Sequence, residues 1–239
     1  MNTNETLIAH LIELRSRLLK SVVALVLVFL GLVYWAADLY GLLARPMLAK
    51  LPQGGQMIAT DVTTPFFVPL KVTMMAAFLI ALPYILYQIW RFVAPGLYAH
   101  EKRLVLPLIV ASTLLFFCGM AFAYFVVFPV VFGFIVASAP HGVAVMTDID
   151  KYLSFVLGMF MAFGITFQVP VIVVVLVRLG VVTVEKLREM RPYVFVGAFV
   201  VGAIFTPPDV VSQFMLAIPL WLLYEAGTIV ARWVSPGGK

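Results

Sequence analysis

Long uncharged runs, separated by short charged segments, dominate the hydrophobic pattern of this chain. Six such runs occur, at positions 21–37, 72–90, 104–147, 152–177, 192–208 and 210–224. A helix needs about 20 apolar residues to cross roughly 30 Å of hydrocarbon, because it rises about 1.5 Å per residue. The runs are solid and lack the period-two alternation of a membrane β-barrel. The pattern therefore predicts transmembrane α-helices.

The run 104–147 contains 44 residues and can form either one long span or two spans in a tight hairpin. With one span there, the chain crosses the membrane six times and both termini share a side. Twelve of the sixteen Lys and Arg residues then lie on that side: three before the first span, three after the second, four after the fourth and two in the tail. Because positive residues concentrate in the cytoplasm, the charges favour one span and cytoplasmic N and C termini.

The predicted fold class is all-α, a polytopic membrane protein with six transmembrane helices in a single integral membrane domain over residues 1–239. The fifth and sixth helices are expected to be short. The fifth run has 17 residues, which reach about 26 Å, and the sixth has 15 before Glu225, with apolar residues continuing to Ala231. The predicted spans are about 21–37, 72–90, 104–135, 152–177, 192–208 and 210–231.

Composition supports a membrane protein and narrows its partners. The chain is 64% hydrophobic and 11% charged, whereas soluble domains are nearer half apolar and a quarter charged. The net charge of +5 is small, so a nucleic-acid partner is not expected. Cys118 is the only cysteine, which excludes an intrachain disulfide and a cysteine zinc cluster.

No catalytic constellation is visible in the sequence. The three histidines fall on separate loops, and no zinc-protease, nucleophile-elbow or phosphate-loop motif occurs. We therefore expect no enzyme, no catalytic residue, no metal and no cofactor. A secondary transporter of small solutes is the alternative function, but such proteins place ionisable residues in mid-span. The apolar cores of the first five predicted spans contain no Asp, Glu, Lys, Arg or His. A structural anchor that only assembles other subunits is a third hypothesis.

Gln168 is the clearest polar residue deep within a span. Its common role would be an interhelical hydrogen bond inside the bundle. The functional interpretation is a docking point for the helix of a partner.

Two acidic residues stand among basic residues on the cytoplasmic side. Glu13 lies four residues before Arg17, a spacing that permits an ordinary ion pair on a helix. Glu101 lies just before the third span, where a carboxylate favours the helix N-terminal dipole. Together the two carboxylates can also hold two guanidinium groups through charge-assisted bonds.

Several stretches carry a family resemblance that runs over nearly the whole chain, from about residue 7 to 232. They are HLIELRSRLLKS (10–21), PLKVTMMAAF (69–78), APGLYAHEKR (94–103), AYFVVFPVVFGF (123–134), RPYVFVGAFVVGAIFTPPDVVSQ (191–213) and AIPLWLLYE (217–225). The chain resembles the TatC family, the polytopic signal-receptor subunits of the twin-arginine protein translocase. Six spans with both ends inside and two shortened last spans are also features of that family.

The resemblance implies a receptor and translocase core in the bacterial cytoplasmic (inner) membrane. Its ligands would be signal peptides with two adjacent arginines, and its cargo folded proteins exported by the proton motive force. TatA and TatB, two single-span subunits, would dock on its helices within the lipid bilayer, and self-association is left open.

The resemblance also assigns residues. Glu13 and Glu101 match the two signal-binding carboxylates of the family, and Gln168 stands where many relatives have a glutamate. A glutamine still donates and accepts hydrogen bonds, but it cannot carry a proton. The resemblance also implies that five further cytoplasmic residues bind the signal peptide: Arg17, Phe92, Pro95, Tyr98 and Arg103. Pro46 and Asp209 match functional positions of the family on the outer side.

Overall fold

The computed structural model describes residues 3–48, 57–93, 105–138, 147–205 and 209–234. Within these ranges the chain is helical, and the one β-type pairing is an isolated bridge between Ile58 and Asp148. The helices are α1 Thr3–Leu32, α2 Ala36–Leu48, α3 Thr64–Val93, α4 Val105–Phe122, α5 Phe128–Ala137, α6 Ile149–Thr166, α7 Val169–Arg178, α8 Val184–Glu189, α9 Arg191–Phe205 and α10 Val210–Val234.

Several neighbouring helices form one continuous span. A 3-10 turn, Val33–Trp35, joins α1 to α2, and a π-helical turn, Ala123–Val127, joins α4 to α5 just before Pro129. The π-helical turn lies where Pro129 lacks the N–H group that a regular helix would use for a hydrogen bond. The run of 44 residues thus holds one helical span of 30 residues, Leu106–Ile135. The predicted single span, and with it the six-span all-α fold, is confirmed.

Five helical stretches in the described part are long and apolar enough to cross a membrane, and α9 is shorter. The 15 residues of α9 reach only about 22 Å, so the predicted short fifth span is confirmed. The sixth helix ends three residues later than predicted, because α10 runs from Val210 to Val234 and has 25 residues, against a predicted span of 210–231. Within α10 the Glu225 carboxylate accepts a hydrogen bond from Arg191 Nη2 at 2.5 Å, which links this helix to the start of α9.

The bundle packs around a partly aromatic core between α3, α4, α5 and α6. Phe128 and Phe163 are fully buried, and Phe128 contacts the ring of Phe160 at a centroid distance of 5.2 Å. The crossing of α4 and α6 depends on two glycines. A Cβ at Gly119 would lie 2.5 Å from the carbonyl oxygen of Phe163, and one at Gly164 would meet the ring of Phe116. The two helices therefore approach more closely than a side chain at Gly119 or Gly164 would allow.

On the outer side, the Asp148 carboxylate forms hydrogen bonds both with Thr60 of the first outer loop and with the start of α6. Its Oδ1 accepts hydrogen bonds from the backbone N–H groups of Asp150 and Lys151, at 2.8 and 3.0 Å, and so caps α6. Its Oδ2 accepts from the hydroxyl of Thr60 at 2.5 Å and from the backbone N–H of Thr60 at 3.0 Å. The Thr60 hydroxyl and these N–H groups lower the pKa of Asp148 to about 2.

Replacing Thr60 by valine is expected to raise the pKa of Asp148 towards its usual value. A depressed carboxyl pKa stabilises the fold above the unfolded value near 4, and this contribution is lost as the pH falls through about 2. In Thr60→Val this contribution should be smaller, and its loss should be complete at a higher pH, because the folded-state pKa lies closer to the unfolded value. Carboxyl ¹³C shifts of labelled Asp148 measure this directly. Thr63→Val is the control, because the Thr63 hydroxyl contacts Asp61 instead. The same Asp148 pKa in Thr60→Val as in the unmodified protein would contradict the assignment.

Candidate functional site

A polar cavity opens between the cytoplasmic ends of α1 and α3. Its volume is about 500 Å³, and we call it the cytoplasmic cup. It is lined by Ile12, Glu13, Ser16, Arg17 and Lys20 of α1 and by Tyr84, Tyr87, Gln88 and Arg91 of α3.

Helical periodicity explains why these residues meet. On α1 the polar residues follow Glu13 by three, four and seven positions, and on α3 they follow Tyr84 by the same intervals. Residues at these spacings share one face of a helix. Since α1 packs against α3, the two polar stripes face each other and form the walls of the cup.

Glu13 and Arg17 form the predicted ion pair on α1, which is confirmed. Arg17 donates from Nε at 3.0 Å and from Nη2, and both bonds end on the same Glu13 oxygen, Oε1. A third donor of Arg17, Nη1, points to Oε1 of the buried Gln88 at 3.4 Å. Among the described residues, the second Glu13 oxygen, Oε2, accepts no hydrogen bond. Arg17 thus holds Glu13 in place through one oxygen and leaves the other available.

Phe92 lies at the end of α3 and stacks on His10 of α1. Their ring centroids are 4.3 Å apart and the rings are inclined by 22°. This contact ties the cytoplasmic ends of the two helices together beside the cup. The remaining cytoplasmic positions expected from the resemblance lie outside the described residues: Pro95, Tyr98, Glu101 and Arg103.

The sequence analysis did not identify the α3 residues that line the cup, which are Tyr84, Tyr87, Gln88 and Arg91. Arg91 donates to the hydroxyl of Tyr87 at 2.7 Å, and its guanidinium lies 5.7 Å from the centroid of that ring. Gln88 is 6% exposed and contacts Arg17. The sequence pattern that could have revealed them is a cluster of two tyrosines, a glutamine and an arginine at the cytoplasmic end of an otherwise apolar run. The helical spacing of these residues places them on one face.

Gln168 does not line the cup and lies at the break between α6 and α7. Its Nε2 donates to the backbone carbonyls of Ser112 at 3.0 Å and Gly164 at 3.4 Å. The Ser112 hydroxyl in turn accepts from Trp90 Nε1 at 3.0 Å. The predicted interhelical hydrogen bond of Gln168 is confirmed, and Ser112 links the second, third and fourth spans.

The two outer-side positions do not belong to the cup. Asp209 begins α10, where its Oδ1 accepts from the backbone N–H of Ser212 at 2.7 Å and caps the helix. Pro46 lies in α2, but its side chain is outside the described residues. Within the described ranges, no group of three or more His, Cys, Asp or Glu residues is arranged to hold a metal ion.

Comparison with known proteins gives one consistent family. The family model described as Sec-independent protein translocase protein (TatC) matches residues 9–219. The Sec-independent protein translocase protein TatC of Escherichia coli K12 is 56% identical over 235 residues, covering 98% of this chain and 91% of that protein. The protein of the same name from Aquifex aeolicus VF5 is 41% identical over 230 residues, covering 93% of each chain.

A crystal structure described as the twin arginine translocase receptor TatC is similar along the same length. It superposes with a TM-score of 0.83 at 40% sequence identity, covering 94% of this chain and 99% of that chain. A second structure of that receptor, in the detergent DDM, gives a TM-score of 0.84 at 41% identity.

Proposed function

Because this chain belongs to the TatC family of Sec-independent protein translocase proteins, we propose that it binds twin-arginine signal peptides at its cytoplasmic cup. The chain is a multi-pass protein of the bacterial inner membrane and a subunit of the Tat translocase. Its proposed task is to recognise the signal and nucleate the export of folded proteins, driven by the proton motive force.

The open oxygen of Glu13 is the observation that carries this proposal. Arg17 uses only Oε1, so Oε2 stays available to an N–H donor that enters the cup. A charge-assisted hydrogen bond of this kind contributes about 1.5–3 kcal/mol. A guanidinium suits the site, because it offers several N–H donors in a planar fork and is always charged.

A second carboxylate is needed for the second arginine. Glu101 fills this role in the proposal, and Tyr98, Pro95 and Arg103 shape the same patch. Phe92 supports the patch from α3 through its contact with His10. Arg17 is positively charged and would repel an arginine of the signal peptide. Its role in this arrangement is therefore to position Glu13 through their ion pair.

Photocrosslinking of a twin-arginine signal peptide to membranes that contain this protein tests the proposal. The crosslink at the cytoplasmic face is expected to disappear in Glu13→Ala and in Glu101→Ala. Glu189→Ala is the control, because Glu189 is an exposed cytoplasmic acid whose carboxylate pairs with Lys186 at 3.0 Å, on α8 and away from the cup. Immunoblots establish equal expression. Unchanged crosslinking in both cup variants would refute the recognition mechanism.

The proposed partners are TatA and TatB, and Gln168 is the proposed contact for a partner helix. Replacing Gln168 by leucine removes its amide, so we expect less TatB to copurify while the signal crosslink is kept. Ser112→Ala is the matched control. It removes the hydroxyl that holds Trp90 but keeps the backbone carbonyl that Gln168 uses. Loss of assembly and signal binding together in Gln168→Leu would show misfolding and contradict a specific contact.

A further inference from the structure

The cytoplasmic cup carries more positive than negative charge. Three cationic side chains, those of Arg17, Lys20 and Arg91, line it together with one carboxylate, that of Glu13. Glu13 already pairs with Arg17. Among the described residues, neither Lys20 nor Arg91 forms an ion pair; Arg91 donates a hydrogen bond to Tyr87, and its charge also acts on Glu13 at longer range. Counted over its described lining residues, the cup therefore carries two more positive than negative charges.

An apolar groove continues from the cup along α1 towards the membrane interior. Its volume is about 370 Å³, and Lys20 and Tyr84 belong to both cavities. We call it the α1 groove. Its other lining residues are Leu19, Val23, Ala24 and Leu27. A polar cavity with excess positive charge thus adjoins an open apolar groove on the surface of α1.

We propose that an anionic phospholipid of the cytoplasmic leaflet occupies these two cavities. Its phosphate binds Lys20 and Arg91 in the basic half of the cup, and one acyl chain lies in the α1 groove. Basic pockets between transmembrane helices on the cytoplasmic side bind anionic lipid headgroups. Burial of the acyl chain against the groove adds apolar contact that a soluble phosphate cannot make.

The depth of the site fits the headgroup region of a bilayer. Lys20 is the last charged residue before the first uncharged run, so its ammonium lies at the membrane surface and its stem reaches along the apolar face. Tyr84, which is 41% exposed, stands at the boundary between cup and groove. Tyrosines are enriched at this level, because the ring is apolar and the hydroxyl is polar.

The lipid site goes beyond the proposed signal recognition and does not depend on it. The phosphate uses Lys20 and Arg91, whereas the signal arginine uses the open oxygen of Glu13. A lipid phosphate beside Glu13 would also neutralise the two basic residues that repel a positively charged peptide.

Native mass spectrometry of the purified protein with added lipid tests the inference. The protein is expected to retain phosphatidylglycerol about 10- to 30-fold better than phosphatidylcholine of the same chain length. The double variant Lys20→Gln/Arg91→Gln should lose this preference. Lys186→Gln should keep it, because Lys186 is an exposed basic residue on α8, away from the cup. Equal retention of the two lipids by the unmodified protein, or an unchanged preference in the double variant, would overturn the proposal.

Two further measurements decide where the acyl chain lies. Ala24→Phe fills the α1 groove with a ring and is expected to reduce retention of phosphatidylglycerol at least several-fold, while the thermal unfolding temperature stays near that of the unmodified protein. Glycerol phosphate at the same concentration should not displace the lipid. Full retention in Ala24→Phe would exclude the groove, and displacement by glycerol phosphate would assign the cup to a soluble anion.

Discussion

A signal peptide whose two arginines are both replaced by lysine is expected to bind this protein about 10- to 100-fold more weakly, although its charge is unchanged. The reason is geometric. One oxygen of Glu13 is occupied by Arg17, so the ligand must reach the other oxygen at a defined angle. A guanidinium presents a rigid planar set of donors, whereas an ammonium is a strongly hydrated point charge. Fluorescence anisotropy of labelled peptides with the detergent-solubilised protein measures both affinities.

A double-mutant cycle tests whether Glu13 causes the difference in affinity between the arginine and lysine peptides. In Glu13→Gln the arginine and lysine peptides should differ much less than in the unmodified protein, because the charge-assisted bond is absent for both. Glu189→Gln should leave the full difference in place. Equal affinities of the two peptides for the unmodified protein would refute arginine recognition. A full difference that survives in both Glu13→Gln and Glu101→Gln would place the recognition elsewhere.

Gly119→Ala is expected to destabilise the bundle by about 1–3 kcal/mol. The added methyl group would lie 2.5 Å from the carbonyl oxygen of Phe163 and 2.9 Å from its carbonyl carbon. Backbone atoms cannot rotate away, so α4 and α6 must separate. Gly164→Ala should act in the same direction, since its methyl group would meet the ring of Phe116. Thermal unfolding followed by size-exclusion chromatography in detergent measures both effects.

Gly158→Ala is the matched control for these glycine variants. Gly158 lies on the same helix as Gly164, and a Cβ there would meet nothing within 4 Å. Its replacement should leave the unfolding temperature unchanged or slightly raised, because alanine restricts the unfolded chain. If Gly119→Ala and Gly158→Ala had the same unfolding temperature, the close crossing of α4 and α6 would not explain the glycine at position 119.

The sequence by itself determined the number of spans, their orientation and the pairing of Glu13 with Arg17. These features depend on local order along the chain. An uncharged run of sufficient length must cross the bilayer as a helix, because its backbone groups find no other partners in lipid. The distribution of Lys and Arg then sets the orientation. A spacing of four residues places two side chains of one helix in contact whatever surrounds them.

Only the tertiary structure decided which helix faces meet. The α3 wall of the cup, with Gln88 and Arg91, and the α1 groove arise from the packing of α1 on α3. The contact between Glu225 of α10 and Arg191, 34 residues earlier in the chain, also arises from packing. Hydropathy could not reveal these contacts, because apolar runs present similar surfaces on all sides. The rotation of each helix follows from close packing, as at Gly119, where absent side chains let two backbones approach.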